Sequence, residues 1–201
     1  GWDGPLGAIS KTRVNLTDYF KETVAVVTNP AIDRERERAQ FSTDVLLGAR
    51  PEIGFANHPD DVLVKLAVPF IVGGHASLGS EAVLQTIARK HGTITVNEML
   101  DTFAGHTAVL PMTARLDEPI EAAIERLQEM AADAAINGAQ ILILDDTDAL
   151  SGEELWIDPL VVVAALDRSL REGGTSPNLR RQVGIVVRSG AIRDLHDVAL
   201  L

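Results

Sequence analysis

The pattern of apolar and polar positions is most regular in the second half of the chain, from Thr107 onward. Continuous apolar runs, typical of strands in a parallel sheet, alternate with segments in which apolar residues recur at steps of three and four, as on one helix face. The predicted strands are 107–116, 140–146 and 182–190, and the predicted helices are 117–139, 158–174 and 191–201. This alternation predicts βα units, a mostly parallel sheet and an α/β fold class.

Caps and breakers support these boundaries. Asp158 can cap the second helix with its side-chain oxygen, and Gly173 can end it. Pro111 cannot donate a backbone hydrogen bond, so the first strand is predicted to be an edge strand or to carry a bulge. For the first helix the expected cap is Asp117 or Glu118, with Pro119 in the first turn and Gly138 as the stop.

Residues 1–58 predict a helical, loop-rich N-terminal segment. A helix that begins near Thr17 must end before Pro30, because proline has no N–H and pushes Asn29 toward an extended backbone. Asp33 then stands at the N-cap of a second helix. That helix is predicted to end at Gly48, with an apolar face formed by Phe41, Val45 and Leu46.

The pattern between 59 and 106 is less regular. Residues 59–75 predict a short helix followed by an extended run that Pro69 interrupts. A clearer helix lies at 79–92, with Ser80 as its cap and Gly92 as its stop. Residues 93–100 fit either a short strand or the start of a helix.

Composition narrows the possible partners. The 201 residues suit one domain, and 18 basic against 29 acidic side chains give a net charge of -11. Such a charge disfavours nucleic acids and anionic membranes as partners, because both attract basic patches. No cysteine is present, which excludes disulfides, thiolate metal sites and a cysteine nucleophile within these residues and fits a cytoplasmic protein.

The ends of the sequence indicate a segment of a longer, multidomain chain. It opens without methionine or a signal-peptide pattern and stops at "DVALL" in the middle of a helical pattern. No apolar run approaches the roughly 20 residues that cross a bilayer.

Two groups at strand ends are candidates for chemistry. Asp145, Asp146 and Asp148 follow a predicted strand, where α/β proteins place metal sites, although acidic residues also form turns there. Arg188 precedes Ser189-Gly190 at the next strand end, where a helix start could hold a phosphate. An ordinary turn is the preferred interpretation of both groups.

Other motifs are incomplete. The glycine-bearing stretch 71–81 lacks the Lys-Ser/Thr of a phosphate-binding loop, and no nucleophile elbow is present. His196 lies close to Asp194 and Asp197, but a histidine on a helix surface is common. None of the five histidines has the spacing of a zinc-binding helix. The sequence therefore predicts no catalytic, cofactor-binding or metal-binding residue; the histidines are His58, His75, His91, His106 and His196.

Two widely separated parts of the sequence, the N-terminal stretch 18–42 and the closing βα units, resemble the central domain of the glutamate synthase large subunit. Segment 134–146 and segment 183–201, with its Ser189, Gly190, Arg193 and His196, are similar to the closing βα units of that family. Ala31 and Arg34 depart from the family pattern. The N-terminal stretch 18–42 carries the family's ordered motif at Tyr19, Phe20, Val27, Thr28, Asn29, Pro30, Ile32, Asp33, Arg36 and Glu37.

The resemblance implies a cofactor-free α/β domain, related in shape to a flavin barrel, between a glutaminase domain and a synthase domain. The synthase domain of the family carries FMN and an iron–sulfur cluster, and it makes glutamate from 2-oxoglutarate with ammonia released from glutamine. The corner formed by Thr28, Asn29, Pro30, Ile32 and Asp33 is then expected at an interdomain position, with a simple surface corner as the alternative. The competing hypothesis is a free-standing βα module that binds a metal or phosphate through Asp145, Asp146 or Arg188 with Gly190.

Overall fold

The computed structural model describes residues 15–20, 33–50, 60–74, 79–147, 149, 154–173 and 178–201. In chain order the described elements are a 3-10 helix (Leu16–Tyr19), α1 (Arg34–Gln40), β1 (Val45–Gly48), β2 (Leu63–Leu66), α2 (Glu81–Lys90), α3 (Val96–Thr102), β3 (Thr107–Pro111), β4 (Thr113–Arg115), α4 (Ile120–Ile136), β5 (Ile141–Asp145), β6 (Glu154–Trp156), α5 (Pro159–Glu172), α6 (Leu179–Gln182), β7 (Gly184–Arg188) and α7 (Leu195–Leu200). The order of strands and helices confirms the predicted α/β class.

A three-stranded parallel sheet organises the second half of the chain. Its strand order is β3-β5-β7, so β5 lies in the centre and its apolar run 141–144 is fully buried. In the register, Val109 lies beside Ile143, and Ile143 lies beside Val186. β7 lies at the edge of the sheet that the structure describes, and most of its residues are partly exposed, so the apolar run 184–187 is less buried than that of β5.

Pro111 occupies the edge strand, as predicted. The Met112 amide donates to the Asp145 carbonyl at 2.8 Å, so residue 112 turns its backbone toward β5. Successive residues of a strand point their backbone groups in opposite directions, and the nitrogen of Pro111 therefore faces the open edge. Proline removes no hydrogen bond there and discourages pairing with another strand.

Each face of the sheet has its own core. On one face Leu142 and Leu144 pack with Leu127 of α4 and Leu166 of α5, all buried. On the other face Ile141 and Ile143 pack with buried residues of the β1–β2 hairpin and α3, namely Leu47, Leu66, Met99 and Phe103. The sheet thus lies between α4 and α5 on one face and the β1–β2 hairpin with α3 on the other.

The helix boundaries follow the predicted signals with one correction. Asp158 caps α5 by accepting from the Leu160 amide at 2.9 Å, and Gly173 ends it. Pro119, and neither Asp117 nor Glu118, occupies the N-cap of α4. The Glu118 carboxylate instead accepts hydrogen bonds from Arg126 and from the Arg115 amide, closing the preceding turn.

The first half of the chain differs more from the prediction. The second helix ends at Gln40 rather than Gly48, and residues 45–48 form β1, antiparallel to β2. The pairing buries Leu47 against the sheet. Phe41 follows the end of α1 and is exposed, so it is not part of a buried helical face. The short helix predicted within 59–75 was also wrong, since residues 63–66 are the partner strand.

Only the start of the first predicted helix is described. A 3-10 helix spans Leu16–Tyr19, and Phe20 is extended, so the helical run is interrupted there. Asp33 caps α1 as predicted, its Oδ1 accepting from the Arg36 amide at 2.8 Å. Thr28, Asn29, Pro30 and Ile32 lie outside the described residues.

Helix α2, which lies between the two halves of the chain, begins and ends at the residues that the sequence predicts. Ser80 occupies the N-cap of α2, and Gly92 follows its end with φ of +67°. Residues 93–100 prove to be a helix start, because the Thr95 hydroxyl accepts from the Glu98 amide and the Glu98 carboxylate accepts from the Thr95 amide. Among the described helices, none combines the length and the apolar character needed to cross a membrane.

Candidate functional site

A cluster of polar side chains joins the two ends of the described chain. The 3-10 helix lies against α7. Several side chains bond across this contact, and we call five of them the clasp: Asn15, Thr17, Asp18, Arg193 and Asp197. Its hydrogen bonds span as many as 180 positions along the sequence.

Local interactions prepare both sides of the clasp. The Asp18 carboxylate accepts from the Asn15 amide at 3.0 Å and closes the 3-10 turn. The Asp194 side chain caps α7 by accepting from the amides of His196 and Asp197. This cap fixes the first turn of α7, and Asp197 then faces the 3-10 helix.

Arg193 is the centre of the clasp. Its guanidinium donates to Asp18 on the 3-10 helix and, through Nε, to Asp197 of α7 at 3.1 Å. Asp197 also accepts from the Arg193 amide at 2.8 Å and from the Thr17 hydroxyl. Asp197 is only 1% exposed, so these donors are what stabilise a buried carboxylate.

Neutral hydrogen bonds extend the contact. The Asn15 side chain donates to the Ala191 carbonyl at 2.6 Å, and the Leu16 amide donates to Asp158, the residue that caps α5. His196 Nε2 lies 3.0 Å from the Thr17 carbonyl, so it acts as a donor there. Asp194 and Asp197 are occupied by other donors, and His196 is part of the contact between chain ends rather than a histidine oriented by a carboxylate.

The clasp lowers the pKa of its two carboxyl groups, those of Asp18 and Asp197. Burial alone would raise the pKa of Asp197, but the hydrogen bonds from Arg193 and Thr17 outweigh burial and hold the pKa at about 2. The hydrogen bond from Arg193 likewise lowers the pKa of Asp18, against the opposing effect of burial. Bonds to Asp18 and Asp197 raise the pKa of Arg193. All three groups are charged at neutral pH.

These pKa values predict a loss of stability in acid. The pKa of Asp197 falls from an ordinary value of about 3.9 to about 2, so the folded state binds this proton more weakly than the unfolded state. The resulting stabilisation, about 2.5 kcal/mol, is present above pH ~4 and is lost as the pH falls toward 2. Urea unfolding at several pH values should show the stability gap between wild type and Asp197→Asn narrowing below pH 4. A gap that does not change with pH would contradict this assignment.

The acidic residues at the carboxyl ends of the strands are engaged by the protein itself. Asp145 accepts from Arg188 at 3.0 Å and from the Thr147 amide at 2.8 Å. Asp146 accepts from Trp156 Nε1 at 2.8 Å and from the Ser189 hydroxyl. These contacts support the interpretation of the group as a set of turn-forming residues; Asp148 lies outside the described residues.

Arg188 also borders a cleft of about 460 Å³ beside α2, lined in part by Gly73, Gly74 and Leu84. Its guanidinium donates to the Gly74 carbonyl at 2.6 Å as well as to Asp145. Within the part of the chain that the structure describes, no three histidine or acidic side chains form a group that could hold a metal ion.

Sequence reasoning missed the clasp. In the sequence, Arg193 is singled out only by the family resemblance and His196 by that resemblance and by its acidic neighbours, and neither observation predicts the partners of Arg193. The one local signal is the spacing of Arg193 and Asp197, which is that of an i,i+4 ion pair on a helix. Asp18 lies 175 positions away from Arg193, and no local pattern connects them.

Comparison with known proteins identifies the family. The family model for the glutamate synthase central domain matches residues 1–201. The glutamate synthase [NADPH] large chain of Bacillus subtilis is 31% identical over 202 residues, covering 100% of this chain and 12% of its own length. The chloroplastic ferredoxin-dependent glutamate synthase of Oryza sativa subsp. japonica is 31% identical over 202 residues, with 11% of its length covered.

A more distant relative shows the same coverage. Glutamate synthase [NADH] of Saccharomyces cerevisiae is 24% identical over 203 residues, which cover 100% of this chain and 8% of that protein. The chain thus spans about a tenth of the length of the curated relatives it matches. With a match across all its residues, the chain belongs to the glutamate synthase central domain family.

Proposed function

We propose that this domain is the bridge between the glutaminase domain and the flavin-dependent synthase domain of a glutamate synthase, referred to here as the parent chain. In this role the domain holds its neighbours in fixed positions and helps to enclose the path of ammonia between them. The observation that carries the proposal is the clasp, which ties residues 15–19 to residues 191–197. Residues 15–19 and residues 191–197 are thereby held together at one place on the domain.

Rigidity is the property that such a bridge needs. Ammonia that leaks to solvent is protonated and lost, so an enclosed path requires interfaces that stay closed. The clasp provides a buried, charge-assisted connection between the N-terminal turn and α7, and these bonds are stronger than neutral ones. The proposal also assigns an interdomain position to the corner at Thr28, Asn29, Pro30, Ile32 and Asp33, of which Asp33 caps the start of α1.

The chemistry of the parent chain belongs to its other domains in this proposal. The parent makes glutamate from glutamine and 2-oxoglutarate, with FMN and an iron–sulfur cluster in the synthase domain. This chain has no cysteine, so it supplies neither a thiol nucleophile for glutamine hydrolysis nor thiolate ligands for the cluster. Asp145, Asp146 and Arg188, the residues best placed to bind a ligand, are bonded to one another or to neighbouring groups.

The names of the relatives support a role that does not depend on the electron donor. They specify NADPH, ferredoxin and NADH, respectively, yet all three proteins align with this chain from end to end. A domain that bridges two active sites is needed whichever donor supplies the electrons.

The proposal is tested by separating the domain from its parent. The parent chain should form glutamate from glutamine and 2-oxoglutarate, whereas residues 1–201 alone should neither hydrolyse glutamine nor bind FMN. Saturable binding of FMN, a nucleotide or magnesium by residues 1–201, seen as a rise in melting temperature, would instead favour a free-standing binding module. A reading frame without a glutaminase domain before it and a flavin domain after it would also contradict the proposal.

A further inference from the structure

Apolar side chains are exposed around the clasp, next to the exposed Arg193 and Asp194. Tyr19 is 70% exposed and Leu195 is 74% exposed, and Leu16 and Phe20 beside them are also exposed. We call these four side chains the docking face. They belong to two elements that are in contact, the 3-10 helix with its C-cap and α7, and exposed apolar side chains grouped on a folded domain mark surfaces that bind another protein segment.

The clasp buries two polar side chains and leaves neighbouring apolar side chains exposed. Thr17 and Asp197 are buried between the 3-10 helix and α7, while their apolar neighbours Leu16 and Leu195 point outward. An isolated domain would gain by the opposite arrangement, because apolar side chains are stabilised when they leave water. The arrangement is favourable if a second apolar surface covers the docking face.

The position of the docking face indicates which segment covers it. Leu195 begins α7, and Leu201 follows the last residue of that helix, so about 9 Å of helix separates them at 1.5 Å per residue. Any chain that continues past Leu201 therefore starts next to the docking face and is held there at high effective concentration. The curated relatives are about ten times longer than this chain, as the covered share of 11–12% for two of them indicates.

We propose that the docking face is the surface on which the part of the parent chain that follows residue 201 packs, through an apolar, aromatic-accepting surface of its own. This inference rests on the proposed function only in that the domain lies within a longer chain. The clasp then serves two purposes: its buried charges connect the chain ends, and the same connection presents Tyr19, Phe20 and Leu195 as one surface.

Photo-cross-linking in the full parent chain tests the proposal. The photoreactive amino acid p-benzoylphenylalanine replaces Leu195 in one variant and Ile136 in a control variant. Ile136 is 62% exposed, but it ends α4 at the opposite, amino-terminal end of the sheet. Cross-linked peptides from position 195 are expected to lie in the part of the chain after residue 201, and those from position 136 are not.

Each other outcome at position 195 overturns the proposal. Cross-links to the part before residue 1, to a second copy of the chain or to residues 1–14 or 21–32 identify a different occupant. Absence of cross-links shows that the face stays in solvent.

A second measurement protects the test against a misfolded variant. Hydroxyl-radical oxidation of Tyr19 in the parent should be slow and should rise at least fivefold in Leu195→Glu but not in Ile136→Glu. Fast oxidation of Tyr19 in the unmodified parent would contradict a covered face. Glutamate formation by the same unmodified preparation is recorded separately, so failure of the docking face and failure of the proposed function are distinguished.

Discussion

Replacement of Asp197 with alanine is expected to lower the free energy of unfolding by about 3 to 5 kcal/mol. Asp197 is almost completely buried and accepts hydrogen bonds from Thr17 and from both the side chain and the amide of Arg193. Its removal leaves these donors without an acceptor and leaves part of a cation uncompensated at a partly buried site, which costs far more than a surface ion pair is worth. Urea unfolding of residues 1–201 at pH 7 measures the difference.

The chain offers a matched control for this variant. Arg168 and Glu172 form an ion pair with the same i,i+4 spacing on α5, but both side chains are largely exposed. Because solvent screens such a pair, Glu172→Ala should leave the unfolding midpoint almost unchanged. If Asp197→Ala were as mild as Glu172→Ala, the clasp would not hold the two ends of the domain together.

Replacement of Gly48 with alanine is expected to lower the free energy of unfolding by about 4 kcal/mol. Gly48 has φ of +109°, and a Cβ atom built on it would lie 2.1 Å from the Val62 carbonyl oxygen and 2.9 Å from the Phe103 ring. The backbone strain and the overlap each contribute a few kcal/mol, and neither a carbonyl in a hairpin nor a buried ring can move away freely. Urea unfolding should show the loss, and the signals of the β1–β2 hairpin should shift in NMR spectra.

Gly190→Ala is the control for that substitution. A Cβ atom at position 190 meets nothing within 4 Å, and Gly190 does not have a left-handed backbone. We expect Gly190→Ala to change the free energy of unfolding by no more than about 1 kcal/mol, in either direction. Equal effects at the two positions would mean that the close approach of β1 to Val62 is not maintained in solution.

The βα half was predictable because its signals are local. The apolar run 141–144 and the Asp158-Pro159 helix start depend on residues a few positions apart, and both proved correct. The hairpin was missed because β1 is defined by its partner: Leu47 is buried through pairing with β2 and packing with Phe103, which lie far along the chain. Apolar residues at 41, 45 and 46 fit one face of a helix, and the apolar run 45–47 fits a short strand equally well.

The candidate site was less predictable than the fold for the same reason. Asp18 and Asp197 look like ordinary capping and surface residues in sequence, and their relation appears only when the chain ends meet across Arg193. The strand-end carboxylates drew attention because their position is typical of ligand sites, yet Asp146 is bonded to Trp156 and Ser189. Local patterns show which residues can ionise but not which of them face each other.

The most direct test of the bridging role compares two sources of ammonia in the parent chain. Glutamate formation is measured with glutamine and, separately, with added ammonium salt, in wild type and in Arg193→Gln. If the domain is the bridge, Arg193→Gln should lose most of the glutamine-dependent synthesis of glutamate. Glutamine hydrolysis and ammonia-dependent synthesis should stay near their wild-type rates. The reason is that both active sites are intact and only the passage between them is opened to solvent. If glutamine-dependent synthesis is unchanged in a variant whose clasp is shown to be weakened by urea unfolding, or if all three rates fall together, the domain does not act as the bridge proposed here.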